Sequence, residues 1–442
     1  MYIDYARSYK RQRRKQRRES TGRMVMLVIL ILAIGFAVYF WGLTLLPLRK
    51  KEMIPVHSNQ NAVVKNRPVY DSTGGNNKSL QSVTEQPKEI TENAKEAEKA
   101  KKEEKTLPSL VPVQVKGIYV TSCMAGSRKM SELVAIARDT EVNAMVIDIK
   151  TDEGKITYEM DSALVRQYGS STGVIPNIQN LIRSLKSKKI YLIARIVAFK
   201  DPYLAKRKRT LALKNADGSL YHDNMKGCWV NPYQKAVWKY LLDVASQAAA
   251  IGFDEIQFDY MRFPTDGAVA KLNYGKISKS KTKEEIIEEF VKYVSAGLKP
   301  LGVFVSADVY GTIIKSRVDA AMVGQNYVEL SKYLDYICPM IYPSHFEEGN
   351  FGIKYPDLEP RKMIYKVLEV SKNNLNRITQ GKHRAIVRPW LQDFTARWVK
   401  HHRTYGGDEV RAQINGVYDT GYKEWILWNS GCKYSVDGLL MD

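Results

Sequence analysis

The chain has 442 residues, with 68 Lys and Arg against 47 Asp and Glu for a formal charge of +21, and only four cysteines. That length holds two or three average domains, or one large barrel with appendages, and the excess of positive charge makes anionic polymers and membrane surfaces natural neighbours. Cys123, Cys228, Cys338 and Cys432 are too few for a disulfide-built scaffold and match no zinc spacing, so they read as small buried residues.

From the N-terminus, the first 23 residues hold nine Lys/Arg against Asp4 and Glu19. Residues 24–46 then carry no charge at all. At about 1.5 Å rise per residue this run is long enough to cross a hydrocarbon core of roughly 30 Å. The basic flank predicts a single-pass signal anchor in the cell membrane, with the tail 1–23 cytoplasmic and everything after Leu46 extracellular. The run is longer than the apolar part of a cleaved signal peptide, about 7–15 residues. The tail therefore sets topology and attracts anionic lipid at about 1 kcal/mol per charge. Nucleic acid is not an expected partner, since Tyr2, Tyr5 and Tyr9 are its only stacking groups. Residues 47–110 lack aliphatic periodicity: 57–88 have the composition of a disordered linker, and 89–105, nearly all Ala, Glu, Lys and Asn, that of a solvated, partly helical spacer.

Residues 111–442 count to eight. Short β-branched or aromatic runs at 117–122, 144–150, 190–199, 255–263, 303–311, 336–344, 385–394 and 424–430 alternate with amphipathic stretches such as 129–140, 175–186, 232–250 and 283–298. Strands alternating with helices imply a parallel sheet, and near-continuous apolar strands imply cover on both faces. Eight units in about 310 residues predict an α/β fold, a (β/α)8 TIM barrel. A doubly wound open sheet fits less well, because no Gly-rich phosphate loop follows the first run. About a dozen residues follow the eighth run, so its helix is expected to be short or missing. In a closed barrel the first and eighth runs are neighbours, which leaves a Cys123–Cys432 bridge open.

Barrel enzymes carry their chemistry where the strands end, and here polar groups recur at those positions. The candidates are Asp148 and Lys150 on the second run, Arg195 on the third, Asp259 and Arg262 on the fourth and Asp308 on the fifth. Tyr342 and His345 end the sixth run, Trp390, Gln392 and Asp393 the seventh, and Trp428 and Asn429 the eighth. Carboxylates among Trp and Tyr suit carbohydrate, since aromatic faces cover sugar rings while polar groups bond the hydroxyls. Glycoside hydrolysis needs two carboxyl groups flanking the bond. Asp259 and Asp308, on adjacent runs, form the expected catalytic pair, with Arg195 or Arg262 keeping one ionised and a drier setting raising the other; Asp148 or Asp393 remains an alternative partner. The other candidates are expected to bind substrate. No metal ligand set, G-x-S-x-G elbow or cofactor motif is present in the sequence, so no cofactor is expected. Lys150 sits between Asp148 and Asp152, which suits a salt bridge better than a Schiff base.

Five stretches carry a family resemblance: 252–264 (GFDEIQFDYMRFP), 194–197 (ARIV), 306–311 (SADVYG), 339–345 (PMIYPSH) and 388–394 (RPWLQDF). In this order-preserving set the chain resembles the putative glycoside-hydrolase domain family of bacterial TIM-barrel proteins, often anchored by one N-terminal membrane helix. It is distantly similar to α-amylase-type barrels, whose nucleophilic Asp ends strand four, where Asp259 stands. Those enzymes use a Glu acid at strand five, where this chain offers Asp308. The resemblance implies a membrane-tethered extracellular glycoside hydrolase acting on a polysaccharide or oligosaccharide. The alternative is a catalytically silent glycan-binding or envelope-scaffolding barrel. The insert 201–231 is expected to wall the cleft and 265–283 to form a mobile rim.

Overall fold

The computed structural model describes residues 110–440; the expected tail, membrane span and linker lie outside the described residues. Among the described residues no helix is long and apolar enough to cross a membrane.

Eight parallel strands close on themselves. They are β1 (Lys116–Val120), β2 (Ala144–Lys150), β3 (Tyr191–Val197), β4 (Glu255–Asp259), β5 (Phe304–Tyr310), β6 (Tyr336–Met340), β7 in two pieces (Ile386–Val387 and Trp390–Gln392) and β8 (Trp425–Trp428). Each pairs with its chain neighbour, and β8 returns to β1 through Lys116 opposite Trp425. Pro389 lacks the N–H that a ladder needs, and it divides β7. The first piece pairs with β6 at Tyr336 and Ile337, the second at Met340. The outer layer is α1 (Met130–Asp139), α2 (Ile178–Lys186), α3 (Lys235–Ala250), α4 (Lys283–Leu298), α5 (Arg317–Val323), α6 (Pro360–Leu375) and α7 (Gly407–Tyr418). The entry to α4 shows why the chain turns helical there: the Thr282 hydroxyl accepts from Glu285 N at 3.2 Å while the Glu285 carboxylate accepts from Thr282 N at 2.7 Å, satisfying two orphan donors at once. Among the described residues no eighth helix follows β8; a single 3-10 turn, Val436–Leu439, packs on α7 instead. It can do so because a Cβ on Gly438 would stand 2.5 Å from the Gly407 carbonyl oxygen.

Strand side chains alternate between two cores, as a period of two requires. Outward residues such as Ile118, Ile147, Leu192, Phe258 and Val305 pack under the helices. Inward ones, including Tyr119, Val146, Ile193, Tyr336, Trp390 and Ile426, fill the barrel. The amino-terminal end of the interior is also charged. Arg388 Nη1 donates to Glu255 at 2.8 and 2.9 Å, its Nε to Glu424 at 2.8 Å, and its guanidinium lies 3.7 Å from the Tyr336 ring centre. Breaking such a buried set costs about 3–5 kcal/mol.

Two strands, the fourth and the sixth, stop four residues short of their apolar runs. The fourth run, expected to reach residue 263, leaves the sheet at Asp259, because Tyr260 takes a left-handed φ of 47°. The chain then runs to the end of α5, where Phe263 N bonds to Val323 O at 2.9 Å. The sixth run ends at Met340 rather than 344, and Pro343–His345 form a 3-10 turn. Both early exits put polar side chains above the barrel mouth.

Candidate active site

At the carboxy-terminal face, one arginine organises the floor. Arg195, on β3, lies between the carboxylates of its two neighbouring strands. Its Nη1 donates to Asp148 Oδ1 at 2.5 Å, and its Nε donates to Asp259 Oδ2 at 3.0 Å, with Nη2 on the same oxygen. Tyr119 OH on β1 donates to the other Asp148 oxygen. The second Asp259 oxygen accepts from Tyr260 N at 2.6 Å, a bond made by the left-handed turn. Burial disfavours the Arg195 cation, but Asp259 and Asp148 outweigh it and hold the guanidinium well above its ordinary pKa. Burial pushes the Asp148 carboxyl up, against the pull of Arg195.

Asp308, on β5, has a different setting. It is 2 % exposed and accepts from Trp390 Nε1 at 2.6 Å. Burial and the adjacent Asp259 charge drive its carboxyl well above the usual range, outweighing Trp390 and Arg195. The floor thus pairs a carboxylate fixed by a cation with a carboxyl that favours its proton, the division of labour an acid–base pair requires. Gln325 locks the two strand ends: its Nε2 donates to the carbonyls of Met261 and Asp308, and its Oε1 accepts from Tyr310 N.

Above the floor lies a cleft of about 400 Å³. Its walls are aromatic, with Tyr119, Trp229, Tyr260, Phe394, Trp398 and Trp428. Trp428 stacks on Tyr119 at 4.1 Å and Phe394 faces Trp398 at 6.0 Å. Its charged groups are Asp148, Arg195, Asp152, Lys200 and Asp223. Lys200 pairs with Asp152 at 3.2 Å, and Asp223 is held by Met225 N, Gly227 N and Trp229 Nε1. A second recess, about 10 Å³, is lined by Asp259, Asp308, Met340, Tyr342, Trp390 and Trp428. That is the room of about one water. Trp428 lines both spaces.

The structure sorts the expected site residues into three groups. Asp148, Arg195 and Trp428 line the cleft, while Asp259, Asp308, Tyr342 and Trp390 line the recess. Five others are built into the frame. Lys150 is fully buried on Asp201 at 2.8 Å and the Val197 carbonyl. Arg262 is packed among the rings of Trp229, Tyr260 and Tyr310. Gln392 bonds Ser344, Asp357 and the Phe394 carbonyl. Asp393 holds Ser435 N and Oγ, both at 2.8 Å, and Asn429 donates to the carbonyls of Asp393 and Lys433. His345 stands between, bonded to Ser344 Oγ at 2.9 Å and facing Tyr342, Phe394 and Trp398. Neither Asp393 nor Asn429 lines either space, because each is consumed in fastening the chain after β8.

Sequence reasoning missed Tyr119, Lys200, Tyr260 and Trp398. Tyr119 had a signal, since it stands one residue before the end of an apolar strand, in the inward register; Trp398 lies in an irregular loop and had none. The insert does wall the cleft, through Asp223, Met225 and Trp229. Among the described residues no group of three or more His, Cys, Asp or Glu could hold a metal ion, and all four cysteines are free thiols.

The family model described as "Putative glycosyl hydrolase domain" matches residues 117–434, the whole run from β1 past β8. The chain belongs to this glycosyl hydrolase domain family. Among solved structures, a hypothetical protein of Ruminiclostridium thermocellum ATCC 27405 is 38% identical over 43% of this chain and 97% of its own, with a TM-score of 0.41. The PgaB (BpsB) glycoside hydrolase domain of Bordetella bronchiseptica is 11% identical over 75% of this chain and all of its own, with a TM-score of 0.52. A beta-galactosidase of the psychrophilic Marinomonas ef1 is 10% identical over 71% of this chain and 53% of its own, at 0.50. At these identities the last two share the fold alone. No curated protein matches the chain. The glycosyl hydrolase domain thus occupies the barrel, and its floor is the Asp148–Arg195–Asp259 cluster with Asp308 beside it.

Proposed function

We propose that this glycosyl hydrolase domain cleaves O-glycosidic bonds of a polysaccharide by a two-carboxylate mechanism, outside the cell, with residues 24–46 tethering it to the membrane. The observation that carries the reading is the unequal pair in one recess. Asp259 is bound by Arg195 and Tyr260 N, whereas Asp308 is buried beside it and favours its proton. In this reading Asp308 protonates the departing glycosidic oxygen. Asp259 acts on the anomeric carbon, directly or through water. The aromatic walls of the cleft carry the sugar rings, and Trp428 lines both the cleft and the recess that holds the two carboxyl groups.

One observation favours a second assignment of the acid: Asp148 lines the larger cleft and its carboxyl is also raised by burial. Release of reducing ends from a panel of polysaccharides, by the parent and by Asp259→Asn, Asp308→Asn and Asp148→Asn, separates the readings. The proposal expects loss of at least 100-fold for the first two. Full activity in Asp308→Asn with loss in Asp148→Asn moves the acid to Asp148. A parent that binds glycan and releases nothing is a binding barrel, and the hydrolase reading fails.

A further inference from the structure

The positive charge of the barrel domain is not spread evenly. Residues 111–442 carry 47 Lys/Arg and 36 Asp/Glu, a net +11. Segments 202–231 and 265–282 together hold ten Lys/Arg against three Asp, so +7 of that excess lies in two loops. These are the loops after β3 and β4, and the fold ties them together. Lys214–Asn215 pairs antiparallel with Leu272–Asn273, Ala216 N bonds Lys271 O at 2.8 Å, and Asn231 Nδ2 bonds Tyr274 O at 3.1 Å. Charges far apart in sequence therefore share one lobe. Lys206, Arg209, Lys226, Lys271, Lys276 and Lys279 are all exposed, and none makes an ion pair among the described residues. The same lobe supplies Asp223, Met225 and Trp229 to the cleft wall, and Lys206 and Arg209 act on the buried Cys228 beside Trp229. The exposed cations thus belong to the same lobe as part of the cleft wall, while none of the six lines the cleft itself.

We infer that this lobe is a docking surface for an anionic polysaccharide, holding the charged residues that flank the stretch lying in the cleft. The inference rests on the glycan-cleaving reading and adds the substrate class. Within the cleft the cations are already engaged, Arg195 by Asp148 and Asp259 and Lys200 by Asp152. Recognition of a polyanion therefore falls to the rim, where uncommitted lysines and arginines attract it through water over a Debye length of about 10 Å. A bilayer is the less suitable partner, because a membrane lying on this lobe would cover the mouth of the cleft that the lobe walls.

The test uses the full chain in neutral-lipid nanodiscs, with binding to polygalacturonate and to its methyl ester measured at low salt. The rim variant carries Lys206→Gln, Arg209→Gln, Lys271→Gln and Lys276→Gln. A control variant makes the same change in charge at exposed positions elsewhere, with Lys188→Gln, Lys239→Gln, Lys299→Gln and Lys423→Gln. The expected result is that the parent binds polygalacturonate at least tenfold more tightly than the ester, that the rim variant loses at least tenfold, and that the control loses less than twofold. Equal loss in the two variants would reduce the effect to net charge and overturn the inference. So would a parent that does not distinguish acid from ester, or polygalacturonate binding that disappears when the nanodiscs contain anionic lipid. Because the readout is binding, an inactive parent that passes this test defeats the hydrolase reading and leaves the docking surface standing.

Discussion

Replacing Asp308 with Asn should stabilise the domain at neutral pH while removing its activity. Burial and the Asp259 charge raise the Asp308 carboxyl well above its ordinary value, so the folded state binds that proton more tightly than the unfolded chain does. Its contribution to stability is complete below the unfolded pKa of about 3.9. It falls as pH rises through the window up to the folded pKa, because the folded state then takes up more protons than the unfolded one. Asn carries no proton to lose, and its amide oxygen still accepts from Trp390 Nε1, the partner now at 2.6 Å. Inside the window the parent should lose up to about 1.4 kcal/mol per pH unit relative to the variant. At about 2–4 °C per kcal/mol for a domain of some 200 residues, somewhat less for this larger one, that is a few degrees per unit. Thermal melts of parent and Asp308→Asn from pH 4 to 9 provide the measurement. The variant's advantage should grow with pH and then level off. Parallel curves, or a parent that gains on the variant as pH rises, would mean that Asp308 is not held protonated, and the argument for its acid role would collapse.

Other expectations follow from the same geometry. Arg388→Met leaves Glu255 and Glu424 buried without their cation and should cost about 3–5 kcal/mol in denaturant unfolding; a loss below 1 kcal/mol would show that the set is relaxed by water. Tyr119→Phe removes the donor to Asp148 and should cost about 1 kcal/mol of stability, with Asp148 rising further, as seen by carbonyl NMR titration. Trp428→Ala removes a ring that lines both cleft and recess; KM for a polymer should rise about tenfold, equivalent to about 1.4 kcal/mol, and an unchanged KM would take Trp428 out of the substrate path.

The barrel was legible because its strands are short apolar runs of regular spacing, bounded by amphipathic stretches at helical spacing. Asp259 and Arg195 were legible as charges on otherwise apolar strands, where an unpaired charge is costly. What the sequence did not show is which charge pairs with which. Lys150 and Arg388 look like site residues in a string, yet Lys150 is sealed under Asp201 and Arg388 belongs to the amino-terminal end of the interior. The strand-to-loop exits were equally hidden, since the left-handed turn at Tyr260 occurs at a residue type that seldom adopts it. The charged lobe became visible only when the ladder between residues 214–215 and 272–273 joined two distant loops.

The central claim, that Asp259 and Asp308 divide the chemistry between them, is tested most directly by changing the leaving group. Initial rates of the parent, Asp259→Asn and Asp308→Asn are compared on a cleaved polysaccharide and on an aryl glycoside of the same sugar, whose phenolate departs without a proton. Asp308→Asn should fail on the polymer and recover most of its rate of bond cleavage on the aryl glycoside, whereas Asp259→Asn should fail on both. Equal losses of the two variants on both substrates, or no loss in either, would contradict the assignment.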